Sequence, residues 1–227
     1  MAKRTIAFVH TGSNYHLTTL ADPALQAYDV TDVYLPEYAD NGGDFSEFDS
    51  IYIASRNHPT VMAERGALLA AALDRPDTKV FVDGVAEINA WLPGVHDEPR
   101  GCNFWGWRLG EDVGIRNCNE DHPMWRNYLS NKAMHWHYHG VLTPPAGAVP
   151  LLKLVELDEP TGPGVDPWGT SYLAIPGHDN VLAFYDNSTY AAEVIVTTLD
   201  ASFHHGLGFM PGATQLMLRM LAWLNDS

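Results

Sequence analysis

The stretch TIAFVHTGSN, residues 5–14, decides how the chain is read. An apolar run from Ile6 to Val9 ends at His10 and passes straight into the turn-forming Thr11-Gly12-Ser13-Asn14. A strand covered on both faces shows no alternation, so a short apolar run closed by such a turn reads as a buried parallel strand. The pattern recurs downstream. DVTDVYLP (Asp29–Pro36), FDSIYIAS (Phe48–Ser55) and TKVFVDG (Thr78–Gly84) read as further strands. Between the last two lies PTVMAERGALLAAALDRP, with Pro59 at a helix start and Pro76 past its end. VAEINAWLPG, after Gly84, reads as a short helix.

Alternating strands and helices imply right-handed crossovers and an α/β fold, with a mostly parallel central sheet flanked by helices. Residues 94–134 fit this pattern less well. Rich in Trp, Arg, Asn and Gly, they read as an irregular excursion over the sheet. Strands resume at AVPLLKLVEL (Ala148–Leu157), NVLAFYD (Asn180–Asp186) and AEVIVTTLD (Ala192–Asp200). In the closing PGATQLMLRMLAWL, Leu216, Met220 and Leu224 share one face, which reads as core packing. A single domain over residues 1–227 accommodates all of this.

Acidic residues outnumber basic ones 28 to 13, for a formal charge of −15. That balance argues against nucleic acid and anionic membrane as partners, since both attract a positive footprint. No apolar run approaches the ~20 residues of a membrane span, and the N-terminal apolar run is too short for a secretory signal. Cys102 and Cys118 are too few for a disulfide framework and read as reduced thiols of a cytoplasmic protein. The oligomeric state stays open, a homo-oligomer included.

Open parallel sheets bind ligands outside the carboxyl ends of their strands. The first strand presents His10 there, followed by Asn14 and His16. The third is followed by Arg56, Asn57 and His58, the fourth ends in Asp83 with Glu87 beyond it, and the last in Asp200 with His204 and His205. Taken together they suggest one polar pocket. Taken singly, Asp83 before Gly84 is also a natural turn residue, and Asp200 a cap for the loop after it. The single glycine of HTGSNYH rules out the usual dinucleotide and phosphate loops.

HWHYH, residues 135–139, alternates imidazoles with aromatics. As a strand it would put His135, His137 and His139 on one face and send Trp136 and Tyr138 to the core. One zinc could take two adjacent histidines, His135 and His137, with a third ligand from His122, His204 or Asp83. A polar, substrate-facing edge is the other reading. No cofactor is required by the sequence, and zinc is the one ion kept open. Covalent catalysis lacks a candidate: the turn after Asp83-Gly84 holds Val85 and Ala86, neither of them nucleophilic.

The order of elements resembles the class I glutamine amidotransferase-like, flavodoxin-like architecture. IAFVHTGSNYH, FDSIYIAS, HPMWRNYL…HWHYHGVL and VIVTTLDASFHHG resemble the ThuA-like family, named for trehalose utilisation. The resemblance covers most of the chain and implies sugar metabolism. In amidotransferases a His after a late strand serves a nucleophilic Cys; by position His204 or His205 matches it, and the Cys is missing. The expectation is therefore an enzyme acting on a polar small molecule, a sugar or sugar derivative, as a hydrolase or isomerase. His205 would move a proton, with Asp83 or Glu87 as its partner. His10, Asn14, His16, Arg56, Asn57, His58 and His204 would hold the substrate. The rivals are a non-catalytic binding or assembly module and a zinc-dependent hydrolase.

Overall fold

A computed structural model describes residues 3–159 and 161–226. The chain opens as expected, with β1 (Thr5–His10), α1 (Asn14–Leu20), a 3-10 turn at Pro23–Ala27, β2 (Asp29–Tyr34), α2 (Leu35–Asp40), β3 (Ser50–Ile53), α3 (Pro59–Ala72) and β4 (Lys79–Val82). Pro36 lies in the first turn of α2, where its missing N–H costs nothing, so the second strand stops at Tyr34 rather than reaching Pro36. The short helix expected after Gly84 is only a 3-10 turn, Ile88–Ala90.

Residues 94–134 are more regular than their composition suggested. They contain β5 (His96–Pro99), α4 (Phe104–Arg108), β6 (Ile115–Asn117), α5 (Pro123–Asn127) and α6 (Asn131–Met134). None of these elements exceeds five residues, too few for a hydrophobic period to declare itself. The chain continues through β7 (Gly140–Thr143), β8 (Val149–Leu154), β9 (Val181–Asp186), β10 (Glu193–Thr197), α7 (Ala201–Leu207) and α8 (Pro211–Asn225).

The ten strands form one sheet whose main path runs β2-β1-β3-β4-β10-β9-β7-β5, with β8 and β6 extending from β9. From β2 to β10 every pairing is parallel, which is the mostly parallel core expected. Its order, with the chain reversing direction across the sheet at β1 and β3, is that of doubly wound open sheets. Beyond β10 the sheet turns antiparallel, because β9 and β10 are joined by a turn too short for a crossover.

Alternation along the parallel strands feeds two cores. Phe8, Tyr52, Phe81 and Ile195 face α8, where Leu216, Met220 and Leu224 meet them. Val9, Ile53, Val82 and Val196 face the side covered by Met62 and Leu69 of α3. At the carboxyl edge the strands come very close. A Cβ on Gly84 would lie 2.6 Å from the backbone carbons of Thr198 and Leu199. Gly84→Ala should therefore push the ends of β4 and β10 apart and cost about 1–3 kcal/mol. A urea melt within about 0.5 kcal/mol of wild type would show that this edge yields freely.

Candidate functional site

The site begins with a buried carboxylate whose partners are backbone N–H groups and a tyrosine hydroxyl. Asp83, one residue past β4, has no solvent exposure. Its Oδ1 accepts the Ala201 N–H at 2.8 Å, and its Oδ2 accepts the Ser202 N–H at 2.7 Å and the Tyr52 hydroxyl at 3.0 Å. Ser55 Oγ accepts the next N–H of the same turn, from Phe203, at 3.0 Å. The first-turn donors of α7 are thus satisfied from neighbouring strand ends. Asp200, at the N-cap position of α7, makes no capping hydrogen bond of its own. Its carboxylate is left free to face the other way.

There it meets three imidazoles. His204 Nε2 lies 3.1 Å from Asp200 Oδ1, His137 Nε2 3.5 Å from Oδ1, and His139 Nε2 3.1 Å from Oδ2. His137 Nε2 is 2.6 Å from His204 Nε2 and 3.2 Å from His139 Nε2. One ligand atom from each of the four residues falls within a span of 4.8 Å. Tetrahedral zinc with bonds of about 2 Å would hold neighbouring ligand atoms about 3.3 Å apart, so the donor set fits a transition-metal ion in type and spacing. Asp200 Oδ1 is buried and receives no well-directed hydrogen bond, which leaves it available as a ligand.

Electrostatics at the cluster follow from burial. Desolvation pushes His137 well below its ordinary range, so it is neutral at pH 7. Burial alone would raise Asp200, but contacts with His139, His204 and His137 outweigh it and hold the carboxyl well below the usual range. Arg56 adds a cation: its Nε donates to Asp200 Oδ2 at 2.6 Å, its guanidinium approaches His139 Nε2 at 2.9 Å, and it lies 4.0 Å over the Phe203 ring. Arg56 and Val85 both adopt left-handed backbone, φ 53° and 57°, and the Arg56 N–H bonds the Val85 carbonyl at 3.0 Å. Such strain in a β-branched residue persists only where its surroundings enforce it.

His139 of the cluster lines a cavity of about 410 Å³, together with Glu87, Asn89, Asp97 and Pro99. Burial raises the Asp97 carboxyl to about 6. Cys102 Sγ lies 3.6 Å from His137 Nδ1 on the far side of that ring. Burial pushes its thiol up, so it stays protonated and serves the imidazole as a neighbour rather than as a nucleophile.

The expected strand at residues 135–139 does not form. The segment is irregular, and His135 turns away to place its Nε2 2.7 Å from Asn117 Oδ1. The adjacent pair in the cluster is His137 and His139, not His135 and His137. Trp136 and Tyr138 do enter the core, with Tyr138 donating to the Tyr172 carbonyl. His204 supplies the third imidazole; His122 caps α5 and Asp83 caps α7. His205 points to another side of α7, toward Asp22 and Thr214.

The strand ends share one edge but divide their tasks. His10 pairs with Asp32 at 2.6 Å, and His16 is buried with its Nε2 2.7 Å from the Ser55 carbonyl. Asn57 donates to the Ala54 carbonyl, while Asn14 and His58 are exposed. Of the expected substrate-holding residues, only Arg56 and His204 join the cluster. Asp200 and His139 are the two that sequence reasoning did not select. Two readable signals pointed to them: Asp200 and His204 are four apart on a helix, and His137 and His139 flank one residue. No family model and no curated protein sequence matches this chain.

Two outcomes test this account. Asp83→Asn would turn an amide nitrogen against a first-turn N–H of α7, and should cost about 2–3 kcal/mol at pH 7. A chemical melt matching wild type would remove Asp83 as the anchor of α7. Burial lowers His16 to about 4 from 6.5. The unfolded chain therefore binds the extra proton first, and the stability from a neutral His16 is full above pH 6.5 and lost as pH falls toward 4. Relative to His16→Gln, wild type should lose about 2 kcal/mol between pH 7.5 and 5. Parallel pH–stability curves for the two proteins would contradict this.

Proposed function

We propose that the chain is a metal-dependent enzyme acting on a polar small molecule. Its ion, zinc in the first instance, would be held by His137, His139, Asp200 and His204. The carrying observation is the convergence of three imidazole nitrogens and a carboxylate oxygen within 4.8 Å, at the ligand-bearing edge of the sheet. When bound, the ion would supply Lewis acidity and acidify a bound water.

The chain's own groups have separate parts in this reading. Arg56 holds Asp200 from the half-exposed side and offers its remaining donors to an anionic or carbonyl oxygen of the substrate. Asp97 can carry a proton near neutrality, and Glu87 lines the same cavity. The side-chain oxygens of Glu87, Asn89 and Asp97 can accept hydrogen bonds from substrate hydroxyls. That lining supports a polyhydroxylated substrate, as does the sequence resemblance to the ThuA-like family with its implied sugar chemistry. The turn at Val85 and Ala86 offers no nucleophile, so glutamine hydrolysis through a Cys is not part of the proposal.

A second reading, a binding module without turnover, draws on one observation. Arg56 already gives Asp200 a cation at 2.6 Å, so the cluster could be a metal-free hydrogen-bond network. Metal analysis of protein purified without a histidine tag separates the two. The enzyme reading expects about one equivalent of transition metal, and at least about tenfold weaker retention in His139→Ala, the most exposed of the four. Less than about 0.1 equivalent, with no activity gained on adding metal, would favour the binding module.

A further inference from the structure

His205, outside the metal cluster, sits in a hydrogen-bonded chain of its own. Its Nδ1 lies 3.0 Å from Thr214 Oγ1, and its Nε2 3.0 Å from Asp22 Oδ2. Asp22 is itself fixed, since its Oδ1 accepts the Ala24 N–H at 2.8 Å. All three line one cavity of about 450 Å³, walled also by Phe209, Met210 and Pro211, within the size range of small-molecule sites. The tautomer that satisfies both contacts donates Nε2–H to Asp22 and leaves the Nδ1 lone pair for the Thr214 hydroxyl.

Two further features converge there. Thr214 lies in the first turn of the 15-residue α8, and no side chain caps that turn. The N–H groups of Gly212 and Ala213 have no acceptor within the helix. Phe209, 48% exposed beside the cavity, offers an apolar surface.

We propose that Thr214, His205 and Asp22 form a second, metal-independent site that hydrolyses esters carrying a short apolar acyl group. Thr214 Oγ1 attacks the acyl carbon as its proton passes to His205 Nδ1. The resulting oxyanion collapses, the bond to the alcohol oxygen breaks, and the alcohol leaves with the proton from His205. Water, deprotonated by the same nitrogen, then cleaves the acyl-threonine to free acid and restores the hydroxyl. Asp22 holds the ring in its tautomer and faces the imidazolium while it is charged.

The test uses p-nitrophenyl butyrate with the full chain, in the presence of a strong chelator so that the metal cluster contributes nothing. Wild type should release nitrophenol above the buffer rate. Thr214→Val and His205→Ala should fall by about 10² or more, while Thr214→Ser keeps turnover. Acid quenching followed by peptide mass spectrometry should find the butyryl group on Thr214. A wild-type rate no faster than buffer, an undiminished rate in folded Thr214→Val, or an adduct at any other residue would overturn the proposal. Should Thr214→Val fail to fold, the adduct position on wild type decides alone. Loss of the metal site leaves each of these readouts unchanged.

Discussion

One carboxylate sets the geometry of this edge of the molecule. Asp83 receives two first-turn N–H groups of α7 and thereby does work that an N-cap residue ordinarily does for its own helix. Asp200 occupies that N-cap position, and a self-capping Asp200 would turn its oxygens toward the helix. With the donors already satisfied, it turns them toward His137, His139 and His204 instead. A carboxylate outside the cluster thus helps to set the orientation of Asp200 within it. The cost of burying Asp83 is offset by its four hydrogen bonds, from Ala201, Ser202, Gly84 and Tyr52.

The cluster itself concentrates basic groups around a single carboxylate. Imidazole nitrogens 2.6 Å apart cannot both carry protons, and burial disfavours charging His137. Arg56 balances the Asp200 charge from the more open side, and a metal ion would balance it from within. The two cations are not equivalent. Arg56 presents a planar donor array to one carboxylate oxygen, whereas a metal ion would accept lone pairs from several ring nitrogens at once.

How much of this could be read from the sequence depended on the length of each pattern. The parallel core was legible because TIAFVH, SIYI, KVFV and EVIVT are runs buried on both faces and closed by turns. The short elements between residues 94 and 134 gave no period to count. HWHYH misled for the opposite reason: its alternation is complete, yet the residues bend instead of pairing, with His135 at φ −96° and ψ 79°. The core does take Trp136 and Tyr138, so the alternation has a physical basis without a strand. Choosing between His204 and His205 was beyond sequence, since neighbours on a helix differ by about 100° and only the packing of α7 against α1 decides which faces inward. Gly206 marks that packing, for a Cβ there would lie 2.2 Å from the Tyr15 carbonyl oxygen.

His137 and His204 stand 67 residues apart in the chain, and between them run four strands of the sheet. During synthesis, the first two imidazoles leave the ribosome long before Asp200 and His204 exist to join them. They can be gathered only after β10 has slotted between β4 and β9, which fuses the parallel and antiparallel halves. A nascent or half-assembled chain therefore lacks this cluster, and the appearance of the four-residue constellation marks the moment when the two halves of the sheet become one.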